Sequence, residues 1–416
     1  MQSARTSWRG GARCADDVRR LDGGVDVMGR NSLLFWLGLA AVGAMGCGGD
    51  EAPQASGTKE PDPPATTDTD GGTDAGAEDA ACAPISETVA VSQEDGLTPS
   101  ILWANGSYLV AWQTRTGGTE EVRVARIGTD GSVSSAHVVA TLAGAHALPS
   151  LQATSSGPMI TWEDTGPSGL VIQARALGAD GTPTGAVLQL GTSDATEARP
   201  ATAPLSGGLA VAWMESPGAR LGLVSAGGMG QATSLPGARF PALGSRGDDL
   251  AVAWSTGAEL SLARTTGMPG GSVTGTVVRT GAGEARLPSV AIAASGASMV
   301  AWEDTREAEE RIYLARVSAN GTKQGEVRVE DAEGSANWPV VTVMGERTAV
   351  TYYQFPGGPP SIFIAVFGPD LARDRGVLRV SGKNARFPAV AFTGSELGVA
   401  WSEKDAGIRM RRVACD

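Results

Sequence analysis

From residue 99 onward, short apolar runs alternate with glycine-centred polar turns, and one phrase keeps returning. Its last copy reads Pro388-Ala-Val-Ala-Phe-Thr-Gly-Ser-Glu-Leu-Gly-Val-Ala-Trp401: a proline, a tight turn, then a β-favouring run that ends on an aromatic. Copies begin at Pro99, Pro149, Pro200, Pro241, Pro288, Pro339 and Pro388, with spacings of 50, 51, 41, 47, 51 and 49 residues. The aromatic falls 13 residues after the proline at Trp112, Trp162, Trp213, Trp254, Tyr352 and Trp401, and 14 residues after it at Trp302. A period of this length points to a solenoid, a propeller or an array.

Each unit contains four strand-like runs. Tyr108-Leu-Val-Ala-Trp112 follows a glycine turn, and Val122-Arg-Val-Ala-Arg126 and Ile312-Tyr-Leu-Ala-Arg316 supply third runs. Asp130-Gly131, Asp180-Gly181 and Asn320-Gly321 then mark hairpins, because both residue types tolerate the left-handed backbone such turns require. Glu326-Val-Arg-Val329 is a fourth run, and four strands per unit is the content of one propeller blade. Asn105-Gly-Ser107 and Asn320-Gly-Thr322 match glycosylation sequons but read as Asn-Gly turns.

The two ends of the repeat predict closure. The last unit stops after its third run, Ile408 to Val413, whereas a spare fourth run, Glu87 to Val91, precedes Pro99. The spare run can complete the last blade, closing an all-β, seven-bladed β-propeller of four-stranded blades over residues 82–416. In this register Cys415 aligns with Ala319 and Cys82 with Asn320, neighbours in a hairpin turn, so the two cysteines should form a disulfide. Tandem β-sandwiches of two units each are the alternative, and the odd unit count and split last unit argue against them. One aromatic per blade at a fixed strand position predicts that Trp112, Trp162, Trp213, Trp254, Trp302, Tyr352 and Trp401 pack between blades.

Composition agrees with a turn-rich β protein: 58 glycines, 42% hydrophobic and only 19% charged residues in 416. The net charge is −12, and nine acidic against one basic side chain in residues 48–82 account for much of it. No basic surface is implied, and nucleic acid is not an expected partner. A monomer is expected.

The first 81 residues divide in three. Residues 1–27 are a polar, Arg-rich extension that a start at Met28 would leave out. Residues 28–46 carry Arg30 and a 13-residue apolar run, Leu33 to Met45, too short to span a membrane and suited to a signal peptide. Residues 47–81 are Gly, Pro, Thr, Asp and Ala with almost no large apolar residue, a composition that predicts a disordered acidic tether. Asp68, Asp70 and Asp74 within it lack the spacing and distal Glu of a calcium loop.

Ala44-Met-Gly-Cys47 resembles the bacterial lipobox, usually Leu-Ala-Gly-Cys, with Met45 as the departure. The resemblance implies lipid attachment at Cys47 and anchoring in the bacterial cell envelope. Gly48 rather than Asp after the cysteine implies the outer membrane, by the enteric sorting rule. The units over residues 82–416 resemble the degenerate propeller repeats of bacterial lipoproteins, a class with no shared activity to carry over. Sialidase Asp boxes are absent, and the aromatic lies on the second strand, so WD repeats do not match.

No catalytic or metal constellation is legible. The only histidines, His137 and His146, are nine residues apart without a nearby cysteine, and no nucleophile elbow, P-loop or dinucleotide fingerprint occurs, so no metal and no cofactor is expected. In an up-and-down blade, the loops joining second to third strands share a face with the loops joining successive blades. That face carries Arg199, Arg239, Arg286 and Arg386 before the prolines, with Asn337-Trp338 in the sixth place. Asp164, Glu303 and Asp304, with Glu163 and Glu403, follow the aromatics. Two readings stay open: these charges pair between neighbouring blades and cap the ring, or they form a charged, aromatic-dotted funnel for a protein, peptide or glycan. Leu148, Phe240, Leu287 and Phe387 stand where Trp338 does and read as buried, which would bury Trp338 too. The functional expectation is a binding or scaffolding lipoprotein. A polysaccharide hydrolase or lyase with a site near the channel is the alternative, and an envelope assembly factor would differ from the first only in its partner.

Overall fold

The structure is a computed structural model that describes residues 81–416, save 117–118, 145–146, 226–227, 269–272 and 416. Residues 1–80, which hold the expected extension, the expected signal peptide, Cys47 and all but the last residue of the expected tether, lie outside the described residues, as does His146. Every described element is a strand, and the strands form seven antiparallel sheets, one per repeat. Within the sheets of blades 1 to 6 the strands follow chain order from the innermost outward, and in blade 7 the outermost place goes to the N-terminal strand. The inner strands are Gly96–Ala104, Ser150–Thr154, Ala201–Leu205, Arg239–Arg246, Ala285–Ile292, Ala336–Met344 and Ala385–Phe392, for blades 1 to 7.

The sheets pack face to face through one apolar cluster per interface, including the interface between blades 7 and 1. The chain is therefore a closed seven-bladed β-propeller. Each repeat aromatic sits in the cluster between its own blade and the preceding one: Trp162 against blade 1, Trp302 against blade 4, Trp112 against blade 7. Exposures of 0–8% leave all seven aromatics buried. Half a sheet face cannot stay dry alone, so the period-two apolar pattern is satisfied only when the next blade covers it.

Closure uses the N-terminal strand, in two pieces. Val89–Ala90 pairs with Met410 and Arg409, and Cys82–Pro84 pairs with Cys415 through Val413. Cys82 and Cys415 are bonded. They are direct cross-strand partners rather than neighbours in a turn, because the closing strand runs on past the spare run to the end of the last strand. Blade 3 fits its 41-residue unit by filling the outermost place with two short segments, Gly228–Met229 and Thr233–Pro236, both paired to Gly218–Ser225. Blade 5 places Trp302 one residue late because five residues, 293–297, turn between Ile292 and Ser298.

The recurring proline has a structural cause. In blades 1, 4, 5, 6 and 7 the inner strand bulges at the proline and the residue before it, and the aromatic stands opposite that pair, as Thr98-Pro99 stands opposite Trp112. A bulged residue has no ladder partner, so proline's missing N–H costs nothing there. The residue before each proline has a positive φ in all seven blades, from 42° at Leu148 to 56° at Trp338. For a non-glycine residue this costs on the order of 1–3 kcal/mol, so something must hold it.

Candidate binding site at the channel mouth

The residue after each aromatic does the holding. Its side chain crosses to the backbone that leads into the next blade's proline. Gln113 Oε1 accepts the Ala147 N–H at 3.1 Å. Glu163 Oε2 accepts from Ala198 and Arg199 at 2.8 and 2.6 Å. Met214 Sδ lies 3.3 Å from the Phe240 nitrogen, and Glu303 Oε1 accepts the Trp338 N–H at 2.7 Å. Ser255 and Ser402 donate instead, to the carbonyls of Ala285 and Gly96, and Tyr353 packs edge-on against Phe387 at 6.0 Å. Six of the seven strained loops are thus clamped through their backbone and the seventh through the Phe387 ring, and the loops of blades 1 to 6 present their pre-proline side chains to the channel.

The pre-proline side chains of blades 1 to 6 and all seven prolines line a cavity of about 360 Å3 at the head of the channel. Leu148, Phe240, Leu287, Trp338 and Phe387 are half-buried rather than buried, which corrects the core placement their apolar character suggests. Positive φ turns the first four toward the mouth, while Phe387 packs with Trp338 against the apolar cluster between blades 6 and 7. The ring is uneven. Blades 1, 2 and 5 contribute Thr98, Leu148 and Leu287, whereas blades 3, 4 and 6 contribute Arg199, Phe240 and Trp338. The Arg199 guanidinium lies 5.4 Å from the Phe240 ring centre and 5.6 Å from that of Trp338, spanning blades 3 to 6. Trp338 meets Phe387 edge-on at 5.1 Å. Both contacts are favourable geometries for their kind.

The other candidates fall into different places. Arg239 stacks on Phe240 at 5.3 Å and Arg386 on Phe355 at 5.4 Å, both on the rim. Arg199 and Arg286 pair with Glu197 and Glu284 of their own loops, not with acids of a neighbouring blade. Asp164 is buried and accepts the N–H groups of Ala143 and Thr165. Asp304 is fully buried between Arg279 of blade 4, Arg306 and the Trp302 indole. Burial opposes its charge, but hydrogen bonds from Arg306, Arg279 and Trp302 outweigh that and hold its carboxyl down at about 2. Asp304 therefore works as an internal tie. Glu303 lies beneath the mouth, and burial pushes its carboxyl up to about 7 against the Trp338 N–H that lowers it.

Sequence reasoning missed Phe240 as a mouth residue, and Arg279 as the partner of Asp304. Nothing in spacing marks Arg279, which comes from an outer strand of another blade. His137 is on the outer strand of blade 1, away from the channel. Among the described residues no cluster of His, Cys, Asp and Glu is arranged to hold a metal ion.

No protein-family model matches the chain, and no curated protein does. Solved structures with a similar fold include the polysaccharide lyase PL25 ulvan lyase, with 12% identity, a TM-score of 0.57, and coverage of 79% of this chain and 96% of that one. That lyase is also known bound to -[GlcA(1-4)Rha3S]-. The BBS1N domain in complex with ARL6DN has 9% identity and a TM-score of 0.53, covering 81% and 98%. The polysaccharide lyase Uly1 has 9% identity and a TM-score of 0.52, covering 80% and 100%. At these identities the likeness concerns the propeller fold alone.

Proposed function

We propose that this chain is a binding or scaffolding protein whose partner engages the channel mouth. The observation that carries this reading is Arg199, held between Phe240 and Trp338 over a cavity lined by six of the seven clamped pre-proline residues. Convergent polar and aromatic side chains on a rigid, concave frame are what recognition sites are made of. The other face offers short glycine turns by comparison. Lipid attachment at Cys47 would place this mouth outside the cytoplasm on an envelope membrane, tethered by residues 47–81. Metabolic labelling with a fatty-acid analogue should mark the protein and fail to mark Cys47→Ala.

The reading is tested by screening the protein on arrays of glycans and peptides. Trp338→Ala should abolish capture of whatever binds, while Ser155→Glu, in an exposed turn of the opposite face, should leave it unchanged. Capture that follows Ser155→Glu and ignores Trp338→Ala would reject the mouth as the site.

A second reading is favoured by Glu303 alone: a carboxyl at about 7 beneath the mouth has the proton affinity a general acid or base needs, and polysaccharide lyases share the fold. Its buried, Trp338-bound position supports the clamp role instead. Release of unsaturated ends from an acidic polysaccharide, lost in Glu303→Gln, would establish the enzymatic reading.

A further inference from the structure

We propose that the mouth takes an anionic saccharide, with a carboxylate or sulfate of the ligand bound end-on by Arg199; this rests on the binding reading above. Arg199 gives its Nε–H to Glu197 Oε2 at 2.6 Å. The rings of Phe240 and Trp338 stand against the guanidinium. What is left is the edge formed by Nη1 and Nη2, which has no acceptor among the described residues. That edge is a planar fork whose two parallel donors fit an oxyanion, and its stacked setting fixes the fork's direction in advance.

The walls of the cavity favour a sugar over a peptide. Prolines supply no N–H, and the N–H groups of Arg199, Phe240 and Trp338 are already taken by Glu163, Met214 and Glu303. A peptide laid across the mouth would find few main-chain donors with which to pair. The donors that remain belong to side chains. Ser100 and Ser289 each accept a backbone N–H of the next blade, from Leu151 and Val341 at 2.9 Å, and keep their own protons to give. Proline and leucine surfaces between these hydroxyls suit the C–H faces of a sugar ring. A volume of about 360 Å3 suits a small ligand rather than a folded protein loop.

The test is calorimetric titration of the intact protein with four probes: a uronic-acid trisaccharide, a sulfated trisaccharide, the uncharged parent trisaccharide, and a tripeptide with a free C-terminal carboxylate. One or both charged saccharides should bind at least about tenfold more tightly than the uncharged one, and more weakly as salt rises. Which of the two binds tells carboxylate from sulfate recognition. Arg199→Gln should erase the preference, and Arg199→Lys should restore only part of it. If Arg199→Gln does not fold, the charged-to-neutral ratio and the salt dependence of the unaltered protein still decide. Equal binding of charged and neutral sugars, binding of the peptide alone, or binding of none of the four overturns the ligand class. In the first two cases, sensitivity to Trp338→Ala keeps the mouth as a binding site, and insensitivity removes both readings.

Discussion

Glu163 and Glu303 occupy the same place in blades 2 and 5, and both are buried carboxylates that face the N–H groups of the next blade. Burial raises the Glu303 carboxyl from the usual 4.5 to about 7. The folded state therefore holds a proton that the unfolded chain releases, so stability contributed at this position falls as pH rises from 4.5 to about 7. Glu303→Gln keeps an oxygen for the Trp338 N–H and removes the titration. It should leave stability near pH 4.5 unchanged and raise it above pH 8, by an amount on the order of 2–3 kcal/mol. Chemical denaturation at both pH values checks this. Parallel pH profiles for the two proteins would mean that Glu303 titrates as an ordinary surface acid. Glu163→Leu should cost about 2–4 kcal/mol, since it strands the N–H groups of Ala198 and Arg199.

At the scale of the strand, the Pro-to-aromatic interval is the register of one bulge facing one interface side chain. This explains why it survives in six of seven units and shifts only where a turn gains a residue. It also separates two kinds of tryptophan. Trp302→Ala should cost roughly 3–5 kcal/mol, because it empties a filled space between blades 4 and 5. Trp338→Ala, half-buried at the mouth beside the cluster of blades 6 and 7, should cost less than about 1.5 kcal/mol. Urea melts of the two variants decide it, and similar costs would mean that Trp338 is part of the core. Blade number, strand order and the disulfide were legible from the sequence because they follow from repetition, which a single chain displays. The clamps were not, because Gln113, Glu163, Met214, Ser255, Glu303, Tyr353 and Ser402 perform one task with different chemistry. Positive φ before the prolines escaped for a related reason: Thr, Leu, Arg, Phe and Trp carry no composition signal for a left-handed backbone, which is imposed by the surrounding contacts.

For the whole ring, the interface of blades 7 and 1 is where the ends of the chain meet, and it is held differently from the other six. Tyr108 of blade 1 donates to Glu396 of blade 7 at 2.8 Å, and Arg412 grips the same carboxylate through two nitrogens at 2.7 Å. Tyr108 packs on Gly398, where a Cβ would come within 2.3 Å of the ring, so Gly398→Ala should strain this interface alone. The Cys82–Cys415 bond closes 333 residues of chain, and in the chain-entropy model such a loop stabilises by up to about 5–6 kcal/mol. Blade 7 takes its outermost strand from the other end of the chain, so without the bond only the pairing of Cys82–Pro84 and Val89–Ala90, with hydrogen bonds of Ile85, Ser86, Val91 and Ser92 to the last strand, keeps that blade complete. Reduction should therefore lower the melting temperature and concentrate new hydrogen exchange in residues 82–90 and 407–415. Gly398→Ala should add to that exchange, while the inner strands of blades 3 to 5 stay protected. Exchange that rises evenly around the ring after reduction would show instead that the seven interfaces melt as one unit, with the disulfide acting on the unfolded chain alone.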